Sequence, residues 1–198
     1  MKYALFALIL LQSSNSFSEI HVNLRDITFL KVDNVNVRQS NINLEMKIFY
    51  SKNTWNRESY SKDFVESVAR STIFHLKKFM KLKGLKIRSC GLRPQRLHIY
   101  VVSSIVLNDR RRFSIKFLEN KYIGNEPDLI GYYDPTHYDF KTDSIIITHV
   151  SDNRNNSLLA HEISHYFYNR FCIKIQTMQN TEPFAVEFED YYSRENSL

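Results

Sequence analysis

The chain has 198 residues, 43% of them hydrophobic and 24% charged, which are values typical of one globular domain. Only 4 Gly and 4 Pro are present and aromatic residues reach 14%, which excludes collagen-like, low-complexity and wholly disordered chains. The 27 Lys and Arg against 21 Asp and Glu give a net charge of +6. The basic residues are scattered along the sequence, and their densest run, Arg110 to Arg112, is short. The positive charge therefore does not predict nucleic-acid binding.

The N-terminus has the order of a secretory signal peptide. Lys2 is followed by an apolar run from Tyr3 to Leu11 and then by small and polar residues that end at Ser18, which predicts cleavage after Ser18. The apolar run is shorter than the ~20 residues that cross a bilayer core. We therefore expect residues 1–18 to be removed and residues 19–198 to form one secreted or periplasmic domain without stable membrane insertion.

The two cysteines are Cys90 and Cys172. Export to an oxidising compartment would allow them to persist as a disulfide that closes a long loop. The alternative is a pair of separate buried thiols, because the sequence does not show whether their Cα atoms lie within about 7 Å of each other.

The first half of the chain predicts strands and then a long helix. Apolar and polar residues alternate over residues 42–50, and the valines of residues 32–37 favour another strand. The period changes to that of a helix between Ser61 and Leu82, and Gly84 is placed to end this helix. Its predicted apolar face consists of Val65, Val68, Ala69, Thr72, Leu76, Phe79 and Met80.

The second half predicts more strands and two more helices. Residues 97–102 alternate, and residues 129–133 and 144–148 are β-rich runs on either side of a turn at Asp134-Pro135-Thr136, which suggests a meander. The polar stretch 151–157 predicts a loop, with a helix beginning near Leu158 and a further helix near Thr181. The expected fold class is α+β, with a small mixed or antiparallel sheet.

The helix predicted near Leu158 contains His161-Glu162-Ile163-Ser164-His165, the H-E-x-x-H arrangement. Residues four apart lie on one face of a helix, so the two imidazoles can bind one metal ion. Glu162 lies close enough to take a proton from a water at that ion. Uncharged flanking residues predict that this helix is buried. The remaining histidines have no partner at ligand spacing and are interpreted as surface or core polar residues: His21, His75, His98, His137 and His149.

A catalytic zinc site needs a third protein ligand and an open fourth position. Three glutamates of the last predicted helix are candidates, namely Glu182, Glu187 and Glu189. Glu182 and Glu189 are two turns apart on the same face, whereas Glu187 lies about 140° around the helix from Glu182.

The H-E-x-x-H sequence followed by an acidic residue on a later helix resembles the gluzincin group of zinc metallopeptidases, over roughly residues 129 to 192. The resemblance implies a zincin-like fold and one Zn²⁺ ion, with His161, His165 and Glu182 as ligands, because Glu182-Pro183-Phe184-Ala185 is similar to the group's Glu-x-x-Ala setting. Glu189 would then orient a ligand. The resemblance also implies that residues 129–133 form an edge strand that binds extended substrate.

This chain departs from the group in two respects. It is much shorter than the large members, and no motif identifies the group's transition-state donor, for which Tyr191 and Tyr192 are candidates; aromatic core packing is the favoured alternative for both. The predicted function is an exported zinc metallopeptidase that acts on peptide or protein substrates, with Glu162 as the general base. The alternatives are a non-catalytic secreted binding or inhibitory module on a zincin scaffold and a basic cell-surface or nucleic-acid binder.

Overall fold

A mixed five-stranded sheet organises the fold of this computed structural model. The structure describes residues 20–22, 24–39, 42–54, 60–85, 95–107, 113–115, 131–134, 142–149, 152–170 and 182–196. The strands are β1 (Ile20–Val22), β2 (Phe29–Gln39), β3 (Ile42–Ser51), β4 (Gln95–Val102), β5 (Phe113–Ile115), β6 (Gly131–Asp134) and β7 (Ser144–Thr148). The helices are α1 (Lys62–Leu82), α2 (Ser104–Leu107), α3 (Asp152–Arg170) and α4 (Glu182–Asn196).

The strand order of the main sheet is β2-β3-β4-β7-β6. Both outer pairs, β2 with β3 and β6 with β7, are antiparallel, whereas β4 is parallel to β3 and to β7. The predicted strands and the α+β class are confirmed, but the predicted meander is wrong. A meander requires neighbours in sequence to pair, and here β7 inserts between β4 and β6, which makes β6 the edge strand. Strands β1 and β5 form a separate two-stranded sheet.

The central strands β4 and β7 are largely buried on both faces, whereas β2 and β3 expose side chains such as Lys47 on the second face. One face carries alternate side chains of β3 together with Leu97, Ile99, Ile145 and Ile147, and it packs in one apolar cluster with residues of α1, α3 and α4. The opposite face holds a second cluster around Tyr100 and Ile146. Burial on both faces explains why β7 contains three consecutive isoleucines and not an alternation of apolar and polar residues.

Helix α1 has the predicted limits. The hydroxyl of Ser61 accepts a hydrogen bond from the backbone N–H of Phe64 at 3.2 Å, as an N-cap residue does. At the other end Gly84 has φ of +67°, and the N–H of Leu85 donates to the carbonyl of Met80 at 2.8 Å. This pattern is the Schellman motif, for which glycine is favoured because it has no Cβ.

Helix α3 starts earlier than predicted. The polar stretch after β7 was expected to be a loop, but the helix already begins at Asp152. Asn, Asp and Ser are weak helix formers, which is why the sequence favours a loop. The tertiary structure overrides this preference, because the side chain of Asn155 is buried and its Oδ1 lies 2.9 Å from the hydroxyl of Tyr60. At the far end, the Arg170 guanidinium donates to both carboxylate oxygens of buried Asp143, next to β7.

Several predictions lie outside the described residues. They are the signal peptide over residues 1–18, the Cys90–Cys172 disulfide, and Pro135 and Thr136 of the predicted turn. Among the described residues, no helix combines the length and apolar character that a membrane span needs.

Helix α4 packs against α1 through aromatic side chains. Phe79 contacts Phe184, Phe188 and Tyr191, with ring centroids 5.4 to 5.6 Å apart. His75 lies in the same layer, 5.6 Å from the Tyr192 ring, and only 9% of its surface is exposed. Burial, and then the positive charge of Lys78, lower the pKa of His75 below its usual 6.5, although Glu195 opposes this shift.

We expect this histidine to make folding acid-sensitive. A lowered pKa in the folded state means that the unfolded chain takes up the proton first, so stability is lost as the pH falls below about 6.5. His75→Phe, which keeps an aromatic ring in the layer, should reduce the loss of unfolding free energy between pH 7 and pH 5, measured by urea titration. If the unfolding free energies of the unmodified protein and of His75→Phe changed with pH in parallel, this role of His75 would be contradicted.

Candidate metal centre

Helix α3 passes through the interior of the protein and supplies two of the three candidate ligands. Eleven consecutive residues, 158 to 168, are buried, as the uncharged flanks of the motif predicted. His161 and His165 lie one turn apart on this helix, and their Nε2 atoms are 3.2 Å apart. The two ring nitrogens therefore converge on one point.

Helix α4 brings the third predicted ligand to the same point. The Oε1 atom of Glu182 is 3.4 Å from Nε2 of His161, and its Oε2 atom is 3.1 Å from Nε2 of His165. One ligand atom from each of these residues lies within 4.8 Å of the others. Zinc bonds of about 2.0 to 2.2 Å at tetrahedral angles place ligand atoms roughly 3.3 to 3.6 Å apart. The three side chains therefore fit a Zn²⁺ ion, and Glu182 is half-exposed, so the site opens towards solvent.

Glu189 lies behind His161. Its Oε2 atom is 3.0 Å from Nδ1, the ring nitrogen of His161 that does not face His165. A carboxylate on the far nitrogen fixes the ring plane and tautomer of a metal-binding histidine. This is the orienting position that the sequence suggested for Glu189.

The carboxylates determine the electrostatics of the site. Burial lowers the pKa of His161, but the hydrogen bonds that its ring donates to the carboxylates of Glu182 and Glu189 outweigh burial and raise the pKa to about 10. Hydrogen bonds from His161, and then from His165, lower the pKa of Glu182 below the usual glutamate range. The carboxylates thus favour a positive charge at His161, and a metal ion bound there would take the place of the proton.

Glu162 is the most confined member of the group. Only 5% of its surface is exposed, and burial raises the pKa of its carboxyl group, against the opposing effect of His165 and His161. Its carboxylate lies directly against the backbone of Gly131 in β6. A Cβ atom on residue 131 would stand 2.5 Å from Oε1 of Glu162 and 3.1 Å from Cδ, closer than real contacts allow.

Edge strand β6 thus contacts two members of the site. Residues two apart share a face of a strand, so Gly131 and Tyr133 both face α3. The ring of Tyr133 is stacked on that of His165, with centroids 6.1 Å apart and planes within 6°. The resemblance placed both residues in a substrate-binding edge strand ahead of the motif, but it predicted no contact of Gly131 with Glu162 or of Tyr133 with His165.

A further neighbour was missed entirely. Tyr60, just before α1, is buried, and its hydroxyl lies 2.9 Å from Oδ1 of Asn155 and 3.3 Å from the carbonyl oxygen of Thr148. Burial, and then the negative charge of Glu162, raise the pKa of Tyr60. No sequence motif marks Tyr60, because its partners are 88 and 95 positions away.

The structure separates the other candidates from the site. The carboxylate of Glu187 lies 2.5 Å from Nζ of Lys83, on the side of α4 that faces α1. Tyr191 and Tyr192 contact the aromatic layer on α1, which favours the core-packing interpretation of both. Cys90, Cys172 and His137 lie outside the described residues.

Comparison with known proteins adds no relative. No family model, curated protein or solved structure matches this chain. The chemistry of the site therefore has to be inferred from its own side chains.

The contact between Gly131 and Glu162 can be tested by a double-mutant cycle. Gly131→Ala should lower the free energy of unfolding by about 1 to 3 kcal/mol, because the new methyl group crowds the buried carboxylate. Glu162→Ala should relieve that crowding, so the double variant should be more stable than the sum of the two single changes predicts. Additive effects in urea titrations would show that residue 131 does not press on Glu162.

Proposed function

We propose that this protein is a zinc-dependent metallopeptidase similar to the gluzincins, in which His161, His165 and Glu182 hold one Zn²⁺ ion. The observation that carries the proposal is the convergence of ligand atoms from these three side chains within 4.8 Å, with Glu162 buried between the two histidines on α3. The three candidate ligands come from two helices, α3 and α4. The periodic spacing of polar residues along a single helix therefore does not explain why they lie together. Two histidines and one carboxylate leave a position open on a tetrahedral ion, as catalytic zinc sites do.

Zinc in such a site supplies a Lewis acid that polarises a carbonyl group and acidifies a bound water. Glu162 is suited to take the proton of the attacking water and to release it to the leaving nitrogen of the peptide. The burial of Glu162 between the two histidines supports this role, because its carboxylate lies inside the site. Glu189 and Tyr133 would hold the rings of His161 and His165 in their orientations.

The position of β6 supports a peptide as the substrate. This strand is one of the two edges of the main sheet and lies beside Glu162, so an extended chain that paired with its outer edge would run past the site. An intact Glu162 favours turnover over the alternative of a silent zincin scaffold, because loss of that carboxylate is the simplest way to abolish the chemistry. Export after removal of residues 1–18 remains a prediction.

The ligand set predicts a ranking of zinc contents. After dialysis against buffer with trace zinc, the protein should hold one zinc per chain by elemental analysis, and His161→Ala and Glu182→Ala should lose it. Glu189→Ala should weaken affinity by about 10- to 100-fold, as loss of an orienting carboxylate does. Glu187→Ala is the matched control on the same helix and should keep its zinc, because Glu187 pairs with Lys83. Full occupancy in Glu182→Ala would overturn the assignment of the third ligand.

The general base can be separated from metal binding. Glu162→Gln should retain zinc while hydrolysis of a peptide library falls by about two to four orders of magnitude. Chelation should abolish the activity of the unmodified protein, and added zinc should restore it. Zinc binding without hydrolysis in the unmodified protein would favour the non-catalytic module, and native turnover in the variant would exclude Glu162 as the base.

A further inference from the structure

The positive charge of the protein is concentrated in one stretch of chain. Residues 67–108 contain nine of the 27 Lys and Arg and none of the 21 Asp and Glu. The rest of the chain therefore has 18 basic and 21 acidic residues. The basic residues of this stretch are spaced apart and Arg110 to Arg112 is still the densest run of the chain, so the excess of positive charge comes from the absence of acidic residues.

The last turns of α1 present this charge to solvent. Lys78 and Lys81 are exposed and Lys77 is partly exposed, while residues 79 and 80 between them are buried. Two large apolar side chains are exposed among the lysines, Phe74 at 48% and Leu82 at 74%. Phe74, Lys78 and Leu82 follow one another at intervals of four residues and so form one row along the helix. We call this surface, formed by Phe74, Lys77, Lys78, Lys81 and Leu82, the α1 basic face.

The surroundings set the charge of this face. Lys83 at the end of α1 pairs with Glu187 of α4 and is not counted in it. Nζ of Lys78 lies 4.4 Å from the centroid of the Phe74 ring, so its ammonium group sits over an exposed apolar surface. The face therefore combines cations and apolar side chains at the same place.

We propose that the α1 basic face binds the surface of an anionic lipid membrane. Lysines near such a surface are attracted to the lipid phosphates, and exposed Leu and Phe side chains enter the boundary between headgroups and acyl chains. A nucleic acid would use the cations but would leave Leu82 in water, and single-strand binders offer free aromatic faces for base stacking, whereas Lys78 covers Phe74. The apolar component thus favours lipid, and the proposal is independent of the metal centre.

Vesicle sedimentation with the full chain tests this proposal. The protein should bind phosphatidylcholine vesicles that contain about one third phosphatidylglycerol and should not bind pure phosphatidylcholine. Lys77→Glu/Lys78→Glu/Lys81→Glu should reduce affinity at least roughly 100-fold, because each positive charge removed is worth about fivefold and the new carboxylates add repulsion. Leu82→Ser should reduce it roughly tenfold without a change in charge, because an exposed apolar side chain no longer enters the bilayer.

A matched control makes the same change of charge at three lysines outside the α1 basic face. Lys47→Glu/Lys52→Glu/Lys62→Glu alters three exposed lysines outside the face and should change affinity less than about threefold, since two lie on or next to β3 and the third at the opposite end of α1. Equal losses in the two triple variants, an unchanged affinity in Leu82→Ser, or absence of vesicle binding would each overturn the proposal. Binding to RNA but not to vesicles would also overturn it and would identify the face as a nucleic-acid surface.

Discussion

The structure depends on the burial of three ionisable side chains on one helix. His161, Glu162 and His165 all lie in the buried stretch of α3, where charged groups are costly unless partners compensate them. The compensation comes from outside the helix, since Glu182 and Glu189 contact the histidines. A helix with this sequence could not be buried alone, so the site and the packing of α4 form together.

Helix α4 contacts both α3 and α1, and it uses different residues for each. Glu182 and Glu189 face α3, while Phe188 and Tyr192 contact the aromatic layer of α1 and Glu187 pairs with Lys83. The apolar contacts carry most of the attachment, because exposed ion pairs such as that of Lys83 contribute little. The position of the candidate third ligand therefore depends on aromatic packing against α1.

The sheet topology determines what lies beside Glu162. Helix α3 begins four residues after the end of β7, and the position of β7 between β4 and β6 makes β6 an edge strand that contacts this helix. Gly131 allows the strand to approach the Glu162 carboxylate closely, and Tyr133 on the same face stacks on His165. A strand order in which neighbours in sequence paired would have separated these contacts.

The sequence by itself determined the local elements and the composition of the site. The alternation of residues 42–50, the Ser61 cap, Gly84 and the H-E-x-x-H spacing depend on neighbours within a few positions, so their patterns predicted β3, α1 and a pair of imidazoles on one face of α3. Helical periodicity also separated Glu187 from Glu182 and Glu189, because that angle follows from 3.6 residues per turn.

Only the tertiary structure decided the strand order, the start of α3 and the surroundings of the buried carboxylate. The first turns of α3 are helical although their residues favour a loop, because Asn155 meets Tyr60 across 95 positions. The close contact of Gly131 with Glu162 joins residues of different elements. No sequence pattern around a glycine in a strand predicts which side chain will lie against it. Such contacts depend on how the chain crosses the sheet, and that path is set by the burial of both faces of the central strands and not by any local preference.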